Sequence, residues 1–210
     1  MKLDLHVHTS ASYDSDLTPN EVVNIAMRKG LSGIAVTDHD TMAAVSAMQS
    51  FAPPELLIIP GAEYSTDCGH ILALFCNEFF ECNKVKLSQL APFVRRHGGI
   101  LIAAHPRNFL SKLEDNISFF DGIETANASY PRGTSQIKRF AERYGKIITG
   151  GSDAHNVEEV GRAYTRLPQN TSLTLNAVKT ALFDGTQVIK SSPCNKVRWA
   201  LKQIYRKAGR

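Results

Sequence analysis

Residues 4 to 8 read Asp4-Leu5-His6-Val7-His8, and no other stretch constrains the chain as strongly. Lys2 to Val7 has the composition of a strand. Side chains two apart on a strand share a face, so His6 and His8 project together while Leu5 and Val7 turn the other way. Two imidazoles so placed can share a metal ion, although one isolated pair is more often an accident of two polar residues. The remaining histidines shift that balance. Of the seven, six sit in short polar motifs at the ends of apolar runs: His6, His8, His39 in Thr37-Asp38-His39-Asp40, His70 after Gly69, His105 in Ala104-His105-Pro106, and His155 in Ser152-Asp153-Ala154-His155. His97, between Arg96 and Gly98 at an expected helix end, reads as ordinary surface.

At 210 residues the chain is long enough for one substantial core, and the expectation is a single domain over 1–210. No apolar run approaches the ~20 residues of a membrane span. The chain passes from Met1 directly into the first strand without a signal-peptide pattern, so the expected location is cytoplasmic, with no membrane partner. Cys68, Cys76, Cys82 and Cys194 form no C-x-x-C pair and read as free thiols. Cys68, two residues before His70, is an alternative zinc ligand, but Asp, Glu and His already supply enough donors. Lys190 to Arg210 holds seven basic residues and no acidic one, whereas the rest of the chain carries 17 basic against 20 acidic, which sets a basic tail on a slightly acidic body.

Strands are expected at Lys2–Val7, Gly33–Thr37, Leu56–Ile59, Ile71–Phe75, Ile100–Ala103, Gly122–Thr125, Lys146–Thr149, Ala163–Leu167 and Gln187–Lys190. Helices are expected between them. Thr18-Pro19-Asn20-Glu21 has capping-box spacing with Pro at the first helical position, Thr41 is read as the cap of a helix running to Pro53, and further helices fall at Leu87–His97, Ser135–Tyr144, Leu173–Phe183 and about 195–207. Alternating strands and helices predict a parallel sheet, and near-continuous apolar strands such as Ile100-Leu101-Ile102-Ala103 fit burial on both faces. Most of the polar motifs fall just after a strand. A closed α/β barrel gathers such strand ends where an open sheet would spread them, so a barrel is the preferred architecture.

A lone His or Asp at a strand end is more often structural than catalytic, yet here about ten such residues would have to be structural at once. A set rich in imidazole and carboxylate, with no required thiolate, suits Zn, Mn or Fe better than Mg or Ca. The donors exceed what one tetrahedral ion needs, and two or three divalent metal ions sharing carboxylates are the natural consequence.

The ordered motifs Asp4-Leu5-His6-Val7-His8-Thr9, Thr37-Asp38-His39-Asp40, Gly61-Ala62-Glu63, Gly69-His70, Ala104-His105-Pro106 and Gly151-Ser152-Asp153-Ala154-His155 resemble those of the polymerase and histidinol phosphatase (PHP) family. Gly161-Arg162-Ala163-Tyr164-Thr165 is similar to the next segment of the family's stand-alone phosphoesterases. The resemblance implies an α/β fold, a distorted (β/α)7 barrel with a trinuclear metal centre at the carboxyl ends of the strands. By motif position, His6, His8, Glu63 and Asp153 are implied to hold one metal, with Glu63 bridging to a second held by His70 and His105. Asp14, His39 and His155 are implied to hold the third; some members have a His where Asp14 stands, and a carboxylate at that position also occurs in the family. Glu63, Asp153 and His155 are the expected catalytic residues.

Asp4, Asp38 and Asp40 are expected to orient the histidines, with Glu124 and Asn127 doing the same at the rim unless they only cap a helix or close a turn. Arg107 and Arg162 are candidate phosphate clamps, since guanidinium matches phosphate bidentately, or else surface residues. The expected reaction is hydrolysis of a small phosphomonoester or nucleotide by a metal-bridged hydroxide, with an oligonucleotide as a further candidate partner of the basic tail. Alternatives are a metal amidohydrolase, whose barrels usually run longer, and a non-catalytic, metal-stabilised module of a nucleic-acid enzyme. About 17 residues separate His105 from Gly122, too few for an inserted lid domain, so an open site is expected.

Overall fold

The strand carrying His6 forms as expected, but its faces do not alternate simply. In the computed structural model, which describes residues 1–130, 134–185 and 187–190, β1 (Lys2–Val7) pairs in parallel with β2 (Gly33–Val36), with a register irregularity between Asp4 and Val7. Leu5 enters a core with Ile59, Leu72, Leu74 and Ile102, whereas Val7 joins another with Ile34, Val36 and Val22. The irregularity accounts for this split: a bulged strand re-aims its side chains.

Between these strands lies α1 (Pro19–Arg28), begun by Thr18 and Glu21 in a reciprocal capping box with Pro19 in the first turn. Four buried residues, Val22, Val23, Ile25 and Ala26, dock it on the core. α2 (Val45–Phe51) starts later than predicted. The Thr41 hydroxyl accepts from the Ala43 amide in a local turn and caps no helix, because residues 41 to 44 are not helical.

After β3 (Leu57–Ile59) the chain turns at Pro60 into β4 (Gly61–Thr66) and β5 (Gly69–Leu74), an antiparallel hairpin that contains both Glu63 and His70. Then come α3 (Leu87–Arg96), β6 (Ile100–Ala103), a short helix α4 (Leu110–Asp115) that no sequence signal announced, β7 (Gly122–Asn127), α5 (Thr134–Arg143), β8 (Ile147–Gly151), β9 (Ala163–Arg166), α6 (Leu175–Asp184) and β10 (Gln187–Lys190). The basic helix expected at about 195–207, and Cys194, lie outside the described residues.

Sheet topology corrects the barrel expectation. The strands form two five-stranded sheets, ordered β10-β9-β1-β2-β3 and β4-β5-β6-β7-β8. Each is mixed: β9 and β10 run antiparallel to their neighbours in the first, as does β5 in the second. Among the described residues they do not join into one closed ladder. They meet instead at two seams, each marked by an isolated parallel bridge, His39 with Glu63 and Val7 with Ala154. At the first seam the Glu63 amide donates to Asp38 O at 3.1 Å and the Asp40 amide to Glu63 O at 2.9 Å. At the second the Asp153 amide donates to His6 O at 2.8 Å and the His8 amide to Ala154 O at 3.0 Å. The core between the sheets takes Leu3 and Leu5 from one and Leu72, Leu74 and Ile102 from the other, with Val178 and Leu182 of α6 against it.

Candidate metal centre

Both seams run through the same cluster of side chains. His6 on β1 and His8 just after it hold their Nε2 atoms 3.1 Å apart. Glu63 reaches them from the middle of β4, His39 from the loop after β2, His70 from β5, His105 from the turn after β6, and Asp153 and His155 from the loop after β8. Asp14 comes from the loop before α1. All nine expected ligands thereby fall into four groups whose donor atoms lie within 4.8 Å of one another: His8, Asp14, His39 and His155; His6, Glu63 and His105; His6, His8 and Asp153; His39, Glu63 and His70. Cys68 belongs to none of them. His97 is exposed at the end of α3, as expected.

Glu63 is the centre of this arrangement. Its side chain is 1% exposed, and its Oε1 lies 3.0 Å from His70 Nδ1 and 3.1 Å from His105 Nε2. Oε2 lies 3.1 Å from His39 Nδ1 and 3.4 Å from the Nε2 atoms of both His6 and His8. Despite this company, neither Glu63 Oε2 nor His39 Nδ1 makes a hydrogen bond. A buried carboxylate oxygen facing three imidazole nitrogens without hydrogen-bond geometry is costly by itself, and it fits atoms aimed at a shared cation. Asp153 Oδ1 approaches His8 Nε2 at 3.3 Å and His6 Nε2 at 3.6 Å, while Asp14 Oδ2 lies 3.1 Å from His155 Nε2 and 3.5 Å from His39 Nε2. The donor set, six imidazoles and three carboxylates with five of the imidazoles facing Glu63, fits transition metals of intermediate softness.

The metal-free electrostatics arise from the same contacts. Burial pulls the His6 imidazole down, but the carboxylates of Glu124, Glu63 and Asp153 outweigh it and hold His6 well above its usual range. Burial likewise opposes protonation of His39 and His105, and nearby carboxylates, Asp14 with Glu63 and Glu63 respectively, raise both. His8 behaves oppositely: burial drives it down to about 3, which leaves it neutral. Burial would raise Glu63 and Asp153, yet the histidines, His6 foremost, keep both ionised well below the usual carboxylate range.

Backbone strain concentrates at the cluster. Among the described non-glycine residues only Asp40, Phe75, His105 and Asp153 have positive φ, and two of these are candidate ligands. Such conformations cost ~1–3 kcal/mol and persist where surrounding structure imposes them. For Asp153 the imposition is visible in its amide bond to His6 O and in the bond its carbonyl accepts from the Ser129 hydroxyl.

The residues expected to orient the histidines divide. Glu124 does so directly: its Oε1 lies 3.0 Å from His6 Nδ1, and its Oε2 accepts from the His105 amide at 2.9 Å and from Asn127 Nδ2 at 2.9 Å. With a proton on Nδ1, the His6 Nε2 lone pair points at the cluster. Asn127 also accepts the Ser129 amide at 2.8 Å, so it holds both Glu124 and the turn. Asp4, Asp38 and Asp40 instead reach backbone amides and hydroxyls. Asp4 accepts from the amides of Ser152 and Gly161, and burial pushes its carboxyl up to about 6. Asp40 accepts from the Ser65 amide. Asp38 binds the Thr9 amide and hydroxyl and the Ser12 hydroxyl.

Ser12 is the residue that sequence reasoning missed. Its hydroxyl donates to Asp38 Oδ1 at 2.8 Å, lies 3.1 Å from His8 Nδ1, and accepts the His39 amide at 3.0 Å, so it ties two candidate ligands to Asp38. Nothing in a polar loop with several hydroxyl residues singles it out. Of the arginines, Arg107 lies on the turn after His105 and lines a small recess with His105, Glu124, Asn127 and Tyr130. Arg162 lies 3.8 Å from Glu158 and near Lys29.

Comparison with known proteins bears on the family and the fold. The family model described as the PHP domain matches residues 4–148, and one described as PHP-associated matches residues 132–185. An uncharacterized protein of Methanocaldococcus jannaschii is 30% identical over 181 residues, covering 80% of this chain and 71% of its own. The 5'-3' exoribonuclease Rnm of Escherichia coli is 44% identical over 66 residues, which are 30% of this chain and 22% of that one. Among solved structures, a two-domain protein of Bacteroides vulgatus containing a predicted PHP-like metal-dependent phosphoesterase superposes with a TM-score of 0.76 at 19% identity, over 90% of this chain and 64% of that one. An amidohydrolase from Chromobacterium violaceum gives a TM-score of 0.66 at 18% identity, over 91% of this chain and 99% of that one. At such identities the structures speak for the fold alone. The family rests on the sequence match spanning most of the chain: this protein belongs to the PHP domain family.

Proposed function

We propose that the protein is a metal-dependent phosphoric ester hydrolase acting on a small phosphomonoester or nucleotide, with two to three divalent ions (Zn, Mn or Fe) held by His6, His8, Asp14, His39, Glu63, His70, His105, Asp153 and His155. The observation that carries this reading is the Glu63 carboxylate, buried and faced by five imidazoles, with one oxygen that makes no hydrogen bond. When bound, divalent cations polarise a phosphoryl oxygen and lower the pKa of water enough to supply a nucleophile near neutral pH. The chain's own residues prepare for that. Glu63 and Asp153 stay ionised and offset the cationic charge. Glu124 fixes the tautomer of His6, and Ser12 fixes the ring of His8. Arg107, exposed and lining a recess with His105, would hold a phosphoryl oxygen in a charge-assisted pair.

The partial likeness to a 5'-3' exoribonuclease supports including phosphorylated nucleic-acid ends among the substrates, and the likeness to an amidohydrolase names the competing reaction. A release assay decides between them. Protein reconstituted with Mn²⁺, Zn²⁺ or Fe²⁺ is offered phosphomonoesters, nucleotides, 5'-phosphorylated oligoribonucleotides and a panel of amides. Phosphate or nucleotide release abolished in Asp153→Ala is the expected result. Amide cleavage without phosphoester cleavage, or no turnover at any metal loading, overturns the proposal.

A further inference from the structure

Tyr13 is the most exposed large hydrophobic side chain among the described residues, at 86%, and its ring stacks on an imidazole of the cluster. The Tyr13 and His39 ring centroids lie 5.1 Å apart with the planes 21° from parallel. The His39 side chain itself is only 4% exposed, so the tyrosine covers one side of a candidate ligand and presents its other side to solvent. Exposed tyrosines scattered over a surface are ordinary. This one is held in place on both flanks. Ser12 before it is fixed by Asp38 and His8, and Asp14 after it reaches His39 and His155.

From these contacts we infer that Tyr13 is a specificity-determining platform, on which a planar heteroaromatic group such as a nucleobase stacks while the attached phosphate lies at the cluster. The inference rests on the proposed phosphate-binding role of that cluster and narrows its ligands to those carrying a flat ring. The chemistry suits the position: a π-face accepts any base, and a pinned backbone lowers the ordering cost of the contact. Tyr130, half-buried against His105 with ring centroids 4.5 Å apart, flanks the cluster on another side and supplies the control.

The test is equilibrium binding to the metal-loaded protein, which needs no turnover. Dissociation constants are measured for the non-hydrolysable phosphonate analogues of adenosine 5'-monophosphate and of ribose 5-phosphate, which share the phosphonate and sugar and differ by the base. The parent is expected to prefer the nucleotide by ~10-fold, toward the low end of what stacking one base on an aromatic side chain contributes. Tyr13→Ala should bring the two constants together by weakening only the nucleotide, Tyr13→Phe should keep the preference, and Tyr130→Ala should keep it as well. A parent without preference, a preference intact in Tyr13→Ala, or one lost in Tyr130→Ala instead overturns the inference, as does binding of neither ligand. Failure of the hydrolysis assay alongside a Tyr13-dependent preference would remove the proposed reaction and leave the platform standing.

Discussion

At Glu63 and Glu124 two buried carboxylates do different work. Glu63 faces the rings from inside the cluster, whereas Glu124 holds His6 and the His105 backbone from behind. Glu124→Gln therefore sets an amide NH₂ against either His6 Nδ1 or the donors of His105 and Asn127. The expected outcome is a ~10–100-fold loss of metal affinity with the fold retained, read by chelator competition. Unchanged affinity would show that Glu124 does not orient His6. Protonation gives a second prediction. In the metal-free protein His6, His39 and His105 are raised above their usual value and must lose protons to bind metal. Their charged forms favour the metal-free fold at low pH, and that contribution fades as pH climbs through the raised values, while metal binding runs the opposite way. Metal affinity should thus rise with pH from the ordinary histidine range up through the raised values, by ~tenfold per unit for each proton displaced. His8, already neutral, contributes nothing to this slope, and a flat affinity profile would contradict the charge assignment. The six clustered histidines were legible as candidate ligands because they ended apolar runs, whereas Asp14, in a polar loop, was implied only by the family resemblance. Ser12 was not, since its part depends on Asp38 and His8 lying on either side of one hydroxyl.

Among elements, strands and helices with strong local signals appeared where expected: β1 and β6 by their apolar patterns, α1 by its capping box. α2 was mistaken at its start because a threonine that closes a turn looks like one that caps a helix. The β4–β5 hairpin was illegible for another reason. Strand direction is set by pairing partners far along the chain, and Glu63 and His70 read equally well as residues delivered by parallel strands. One close approach between elements is open to test. A Cβ added at Gly151 of β8 would sit 2.4 Å from His6 Cβ and 2.7 Å from His6 N, so Gly151→Ala must push β8 away from β1. We expect a loss of ~1–3 kcal/mol in stability, typical of overpacking, and weaker metal binding as well. Thr18→Ala makes the contrast, costing ~1 kcal/mol through the lost cap with metal affinity unchanged. Denaturant melts and metal titrations of the two variants check this, and equal metal affinity in both would show that the β1–β8 approach does not shape the cluster.

Across the whole molecule, two mixed sheets meet at seams that both pass through the histidine and carboxylate cluster, and the ladder breaks where candidate ligands replace regular pairing. That convergence was anticipated from polar motifs at strand ends, while the closed parallel barrel was not what the described residues form. No described helix is long and apolar enough to cross a membrane. Everything proposed for the cluster depends on its nine side chains forming one metal centre bridged by Glu63. Elemental analysis of protein loaded with Mn²⁺, Zn²⁺ or Fe²⁺ and then desalted, for the parent and for Glu63→Ala, puts that to the test. Two to three metal equivalents per chain are expected in the parent, with a clear loss in the variant. A parent that binds no metal even when it is supplied, or a Glu63→Ala variant that retains the parent's full complement, would show that no such bridged centre exists.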